Sequence, residues 1–375
     1  MKRDSEWVQP GSATEPSRPV STPIYQTATF RVGEDNEYDY TRSGNPTRTV
    51  LEEQLARVEG GRHALSFSSG MAAIATACAL ASAGEEIVAC VDLYGGTYRF
   101  LSDVASRNGI RLRYVDTSDP RTHESIFESR PRLVLVETPS NPFQRVTDLD
   151  RLGRLASESG AIFAVDNSLM SPYLQRPLDN GAHLVIHSAT KFLCGHSDVT
   201  AGVLVTNDER LSRQLSFHRN ATGSALAPFE AWLLARGMKT LPLRLERQQQ
   251  TSRRVSCYLR SHARVTRVHY VGLADHPGRE THERQAEGYG SVISFETGSL
   301  ARSEAIVAAL VMFLPTVSFG GVQSTVSLPA RMSHASIPAA VRNGRAFPED
   351  LVRLSIGIEH EDDLLSDLEQ ALSGG

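Results

Sequence analysis

The chain has 375 residues, 40% of them hydrophobic, enough for a large core and for about two domains. A net charge of −4 excludes the basic footprint of a nucleic-acid binder, and no apolar run approaches the roughly 20 residues that cross a bilayer. Cys78, Cys90, Cys194 and Cys257 are far apart with no Cys-x-x-Cys, which speaks against a zinc ribbon or a disulfide framework. The expectation is reduced thiols in a soluble cytoplasmic protein, with no metal, no membrane partner and no secretory leader.

Residues 1–45 are rich in Pro, Ser, Thr and Tyr and predict an extended arm. Leu51, Leu55 and Val58 predict a helix over 48–59. Six short apolar runs follow: Glu86–Cys90, Arg111–Val115, Leu133–Val136, Ile162–Val165, Leu184–Ile186 and Gly202–Val205. Helical stretches at 97–108 and 148–159 separate some of them. This alternation predicts an α/β fold with a mostly parallel sheet covered on both faces. Beyond 237 the texture changes to a long Arg- and Gln-rich helix at 238–261 and strand-like runs at 291–295 and 351–356. The predicted organisation is an arm (1–45), a large domain (46–236) and a smaller α+β domain (237–375).

Ligands in such folds sit beyond the carboxyl ends of the strands. There the chain carries Glu137-Thr-Pro-Ser-Asn141-Pro, Asp166-Asn167 and His187-Ser188-Ala-Thr190-Lys191. A lysine buried at such an edge has a depressed pKa and forms Schiff bases readily. A pyridoxal phosphate ring needs an acid to stay protonated, and Asp166 lies one strand–helix step before Lys191. The cofactor's phosphate needs donors. Ser69-Gly70-Met71 opens a small-residue helix whose free N–H groups can bind an anion, and Ser188 and Thr190 add hydroxyls. Tyr94, in the turn Tyr94-Gly95-Gly96, can place a ring over the pyridine. Taken singly, each of these residues has an ordinary structural explanation as a cap, turn or surface group. Ser188-x-x-Lys191 also matches an acyl-transfer motif, but its companions Lys-Thr-Gly and Ser-Asp-Asn are missing. His183 and His187 lie four apart on a strand-like run, which does not suit a zinc site.

Seven stretches in order carry a resemblance. They are Tyr40-Thr-Arg42-Ser-Gly-Asn45-Pro-Thr47, Ser69-Gly-Met-Ala-Ala73, Leu93-Tyr-Gly-Gly-Thr97, Glu137-Thr-Pro-Ser-Asn-Pro142, Val165-Asp-Asn167, His187-Ser-Ala-Thr-Lys191 with Gly195-His-Ser-Asp198, and Arg353-Leu-Ser-Ile-Gly-Ile-Glu359. From about Ser21 to Leu372 the chain resembles the pyridoxal-phosphate (PLP) enzymes of cysteine and methionine metabolism. The resemblance implies PLP fold type I, with a mostly parallel seven-stranded sheet. It implies that Lys191 carries the cofactor as a Schiff base and shuttles protons, and that Asp166 pairs with the pyridinium. Gly70, Met71, Ser188 and Thr190 would hold the phosphate, Tyr94 would stack on the ring, and Asn141 would lie near the phenolic oxygen. Arg353, helped by Ser318, would hold the substrate carboxylate. Tyr40 and Arg42 would enter the site of a neighbouring subunit, making a dimer obligatory and a tetramer of two dimers the expected assembly.

Within the family, Asp166–Pro172, Ser224–Trp232, Thr316–Gly321 and Met332–Pro338 are most similar to plant-type cystathionine β-lyases. Many γ-acting members place a Glu where this chain has Val317, although methionine γ-lyases share the apolar choice. Those lyases typically carry a Cys where this chain has Gly96. The expected reaction is β-elimination of L-cystathionine to homocysteine, pyruvate and ammonia. The alternatives are a cystathionine or methionine γ-lyase, a γ-replacing synthase or sulfhydrylase, a relative acting on an unusual amino acid, or a catalytically idle interaction module. The last would be expected to lack Lys191 or Asp166.

Overall fold

The computed structural model describes residues 2–9, 19–33, 37–335, 337–338, 341 and 347–374. Residues 1, 10–18 and 34–36 of the arm therefore lie outside the described residues, as does Ser336 of the Met332–Pro338 stretch.

The first half alternates strands and helices: α1 (Arg3–Glu6), α2 (Pro46–Glu59), β1 (His63–Phe67), α3 (Gly70–Cys78), β2 (Glu86–Cys90), α4 (Gly95–Phe100), β3 (Arg111–Val115), α5 (His123–Glu128), β4 (Leu133–Glu137), α6 (Leu149–Ser159), β5 (Ile162–Asp166), α7 (Ser171–Leu174), β6 (Leu184–Ser188) and β7 (Gly202–Thr206). The six predicted runs are all strands. The seventh strand is β1, a mixed sequence with only Ala64, Leu65 and Phe67 apolar, which gains its identity by pairing with β7 far along the chain. The sheet order is β1-β7-β6-β5-β4-β2-β3, with β7 antiparallel to both neighbours and the five strands from β2 to β6 parallel. β2, β4 and β5 are buried along their whole length, as expected for strands covered on both faces.

Local signals set the helices. Asn45 caps α2 through the Thr47 N–H, Pro46 occupies the first turn, and Gly60 ends it in the left-handed region at φ 75°. Asp148 caps α6 in the same way and Gly160 closes it. The predicted helix at 97–108 is instead divided into α4, a π-helical turn at Leu101–Ala105 and a 3₁₀ turn at Ser106–Asn108. The arm also departs from the extended expectation at its start. α1 is helical, and Trp7 is fully buried with its carbonyl accepting the Gln54 side chain on α2.

α8 (Glu209–Thr222), α9 (Pro228–Met238) and the 21-residue α10 (Leu241–Ser261) lead to the second sheet. That part comprises β8 (Arg267–His269), α11 (Arg279–Gln285), β9 (Val292–Glu296), α12 (Leu300–Ala309), β10 (Leu314–Pro315), β11 (Thr325–Ser327), β12 (Val352–Ser355) and α13 (Glu361–Ser373). The strand order is β10-β11-β12-β9-β8, and Ile293, Phe295, Phe313, Leu354 and Leu368 anchor a separate apolar core. Among the described residues no helix is long and apolar enough to cross a membrane.

Candidate active site

Register brings the chemistry to one sheet edge. Glu137, the last residue of β4, pairs with Asp166, the last of β5. Ser188, the last of β6, pairs with Gly202, the first of the antiparallel β7, and Gly202 pairs with Phe67, the last of β1. The N-terminus of α3, the end of β6 and the two carboxyls therefore share a rim. Lys191 follows β6 in a tight turn, its N–H donating to the Ser188 carbonyl at 3.1 Å.

Lys191 is the best defined group. Nζ donates to Ser318 Oγ at 2.5 Å and lies 5.1 Å from the Phe319 ring centroid. Burial foremost, then the cationic Arg353, lowers its pKa to about 8, with Asp166 opposing. Arg353, on β12, is buried. Nη1 donates to Asn141 Oδ1 at 2.9 Å, Nη2 donates to the Ser318 carbonyl at 2.8 Å, and Cζ lies 5.3 Å from the same Phe319 ring. The connection between β10 and β11, at Ser318-Phe319, thus joins the lysine that follows β6 to the arginine on β12. Ser318 does so at φ 82°, a strained region for any residue but glycine. Phe319 lies in the Thr316–Gly321 stretch but has no role legible in the sequence, and its position between two cations leaves no sequence signal.

The residues present fit a PLP group. Asp166 is 9% exposed and its pKa is raised, mainly by burial. Its carboxylate accepts the Ser168 N–H, and among the described residues no cation lies at ion-pair distance from it. A buried acid without a cation suits a pyridinium nitrogen. At the other end, a Cβ on Gly70 would fall 2.8 Å from Ser188 Cβ, and one on Gly202 would fall 2.1 Å from the Ser69 carbonyl oxygen. Only glycines let the start of α3 sit against the end of β6, where main-chain N–H groups and the Ser188 hydroxyl can face a phosphate. Thr190 Oγ1 accepts the Ala201 N–H at 2.9 Å, and Met71, the second residue of α3, is partly buried. Tyr94, at the start of α4, is 39% exposed, and its ring overlies the space where a Cβ on Gly96 would stand.

Tyr40 and Arg42 are not brought to Lys191 of the same chain. Arg42 donates to the Asn220 carbonyl of α8 at 2.8 Å and stands 5.4 Å from the Tyr40 ring. Two further residues escaped sequence reasoning. Arg244 on α10 is buried, pairs with no carboxylate among the described residues, and donates to the carbonyls of Phe192 (2.9 Å), Leu193 (3.4 Å) and Gly237 (3.0 Å), holding the turn that follows Lys191. Glu137 accepts two main-chain N–H groups within the site. His187 points away from zinc chemistry, its Nε2 paired at 2.6 Å with buried Glu59. His183 accepts the Phe163 N–H through Nδ1 at 3.0 Å.

A lysine, a buried acid without a cation among the described residues and a glycine-lined helix start on one edge of a seven-stranded sheet define a PLP enzyme of fold type I. Residues 4–373 match the family described as Cys/Met metabolism PLP-dependent enzyme, and the chain belongs to it. It is 48% identical over 386 residues to the chloroplastic cystathionine beta-lyase of Mimosa pudica, covering 100% of this chain and 84% of that protein. It is 50% identical over 360 residues to the chloroplastic cystathionine beta-lyase of Arabidopsis thaliana, covering 95% and 78%. Among solved structures it superposes with a TM-score of 0.97, at 38% identity, on cystathionine gamma-lyase from Lactobacillus plantarum complexed with L-serine, covering 100% of this chain and 99% of that one. PLP is the cofactor of the family and of this chain.

Proposed function

We propose that this chain is a PLP-dependent carbon–sulfur lyase that cleaves the Cβ–S bond of L-cystathionine, giving homocysteine, pyruvate and ammonia. The observation that carries it is the Ser318 bridge, which sets a partly neutral amine and a buried guanidinium side by side. An amino acid that loses its α-proton needs both, one to take the proton and one to hold the carboxylate.

In this reading Arg353 grips the α-carboxylate. Its two Nη atoms are already oriented by Asn141 and Ser318, so little rotamer freedom is lost on binding. Lys191 Nζ, near pKa 8, takes the α-proton and can deliver it to the departing homocysteine sulfur, with Ser318 Oγ fixing where the amine waits. Asp166 would hold a proton on the ring nitrogen, Tyr94 would cover the ring, and the edge formed by Gly70, Met71, Ser188 and Thr190 would hold the phosphate. Bound PLP supplies the electron sink that makes the α-proton removable.

The preference for β over γ cleavage is supported by the similarity to two cystathionine beta-lyases and by Val317, which is 56% exposed and offers no carboxylate to a distal ammonium. The γ-lyase reading has the structural neighbour on its side. Purified protein with PLP and L-cystathionine decides between them by the ketoacid formed.

We further infer a cytoplasmic homotetramer built from dimers. Tyr40 is 42% exposed and, with Arg42, lies away from its own Lys191, as a residue serving a second subunit would. Ile24 and Val32 of the arm are exposed apolar side chains that a crossing arm would cover. Four free cysteines, three of them buried, suit a reducing compartment.

A further inference from the structure

Glu137 ends β4, is buried, and stands in register with Asp166. It forms no ion pair among the described residues. Its carboxylate is divided between two main-chain donors: Oε2 accepts the Tyr94 N–H at 3.0 Å, and Oε1 accepts the Asn141 N–H at 2.9 Å. These donors lie on different connections, the turn after β2 and the turn after β4. Tyr94 begins α4, a helix with no side-chain cap of its own. Asn141 in turn accepts Arg353 Nη1 through Oδ1. A connected line runs Tyr94–Glu137–Asn141–Arg353–Ser318–Lys191.

We propose that Glu137 is a positioning residue for the reaction, fixing the ring-covering Tyr94 and the Arg353-orienting Asn141 with one carboxylate. This rests on the roles given above to Tyr94 and Asn141. The physical case is the cost of the arrangement. Keeping two carboxyl groups buried on adjacent strand ends is unfavourable: burial foremost, and then the Asp166 charge, pushes the Glu137 pKa up, and the Tyr94 and Asn141 N–H groups oppose that by favouring the ionised form. A core apolar residue would fill β4 at lower cost. A carboxylate offers what no other side chain of that length does, two acceptor oxygens at a fixed spacing and no donor. Gln has one acceptor, and its amide would oppose one of the two N–H groups. Asp keeps both acceptors but draws them back by a methylene.

The test uses the PLP-loaded enzyme with Glu137→Gln and Glu137→Asp. Visible circular dichroism of the bound cofactor reports the asymmetry of its surroundings, and steady-state kinetics reports the hold on the substrate carboxylate. The expectation for Glu137→Gln is a full visible absorption band, a melting temperature near that of the parent, at least a halving of the visible dichroism, and KM raised about tenfold. In an Asn141→Ala background the same change should raise KM no further, since the line to Arg353 is already cut. Glu137→Gln with parental dichroism and KM would overturn the proposal. If that variant does not fold, Glu137→Asp carries the test: smaller shifts of both readouts support the proposal, and parental values overturn it. Tyr94→Ala and Asn141→Ala separate the underlying reading. If the first leaves the dichroism unchanged and the second leaves KM unchanged, the roles of Tyr94 and Asn141 fail, and the proposal falls with them.

Discussion

Lys191 Nζ donates to Ser318 Oγ at 2.5 Å, across the boundary between the two sheets. The lysine is delivered by the turn after β6 and the serine by the segment between β10 and β11. The second sheet therefore sets where the amine rests. Ser318→Ala removes the hydroxyl but keeps the carbonyl that accepts from Arg353. It should lower kcat about tenfold with KM within about threefold, because the proton acceptor is loosened while the carboxylate holder is not. A large rise in KM with unchanged kcat would place Ser318 in substrate binding alone.

The depressed Lys191 pKa gives a signed pH dependence. Only the neutral amine attacks an aldehyde, so the rate of PLP uptake by cofactor-free protein should rise about tenfold from pH 7 to pH 9, with its midpoint near pH 8. Arg353 lowers the lysine pKa, so Arg353→Met should move the midpoint upward. Stopped-flow absorbance at the visible band measures both. A midpoint that stays in place or moves down would contradict the assigned pairing.

Gly96 sets the pose of Tyr94. A Cβ at 96 would fall 2.4 Å from Tyr94 Cε1, so any side chain there pushes the ring aside. Gly96→Cys should leave PLP bound, alter its visible dichroism, and lower kcat/KM on cystathionine about tenfold. Unchanged dichroism would mean that the ring does not lie where this pose puts it.

Arg244 illustrates a structural cation. Burial lowers its pKa to about 10, yet it is held by three carbonyls and the Thr240 hydroxyl rather than by an acid. Gly195, at φ 75°, has its Cβ position 2.0 Å from Arg244 Nη1, so the turn and the guanidinium are fitted to one another. Arg244→Ala should cost about 3 kcal/mol in urea unfolding, from orphaned carbonyls and a cavity. A loss under about 1 kcal/mol would show that water replaces the guanidinium freely.

The parallel strands were legible because burial on both faces leaves continuous apolar runs, such as Leu133–Val136. β1 was not, since His63 and Ser66 interrupt it and its partner β7 lies far along the chain. Trp7 looked like part of an extended arm because its burial depends on folding back against α2. In the site, Lys191, Asp166, Asn141 and Arg353 announced themselves by residue type and motif. Glu137 lay inside a recognised motif, but its contacts are to main-chain N–H groups, which leave no trace in side-chain pattern. Phe319 acts by lying between two cations from different sheets, a relation that exists only once both sheets are packed.

The central claim is tested most directly by the products formed from L-cystathionine by the PLP-loaded protein, resolved by chromatography of the ketoacid and the thiol. Pyruvate with homocysteine in equal amounts is the predicted result. 2-Oxobutyrate with cysteine would contradict the β-elimination reading and the weight given to Val317.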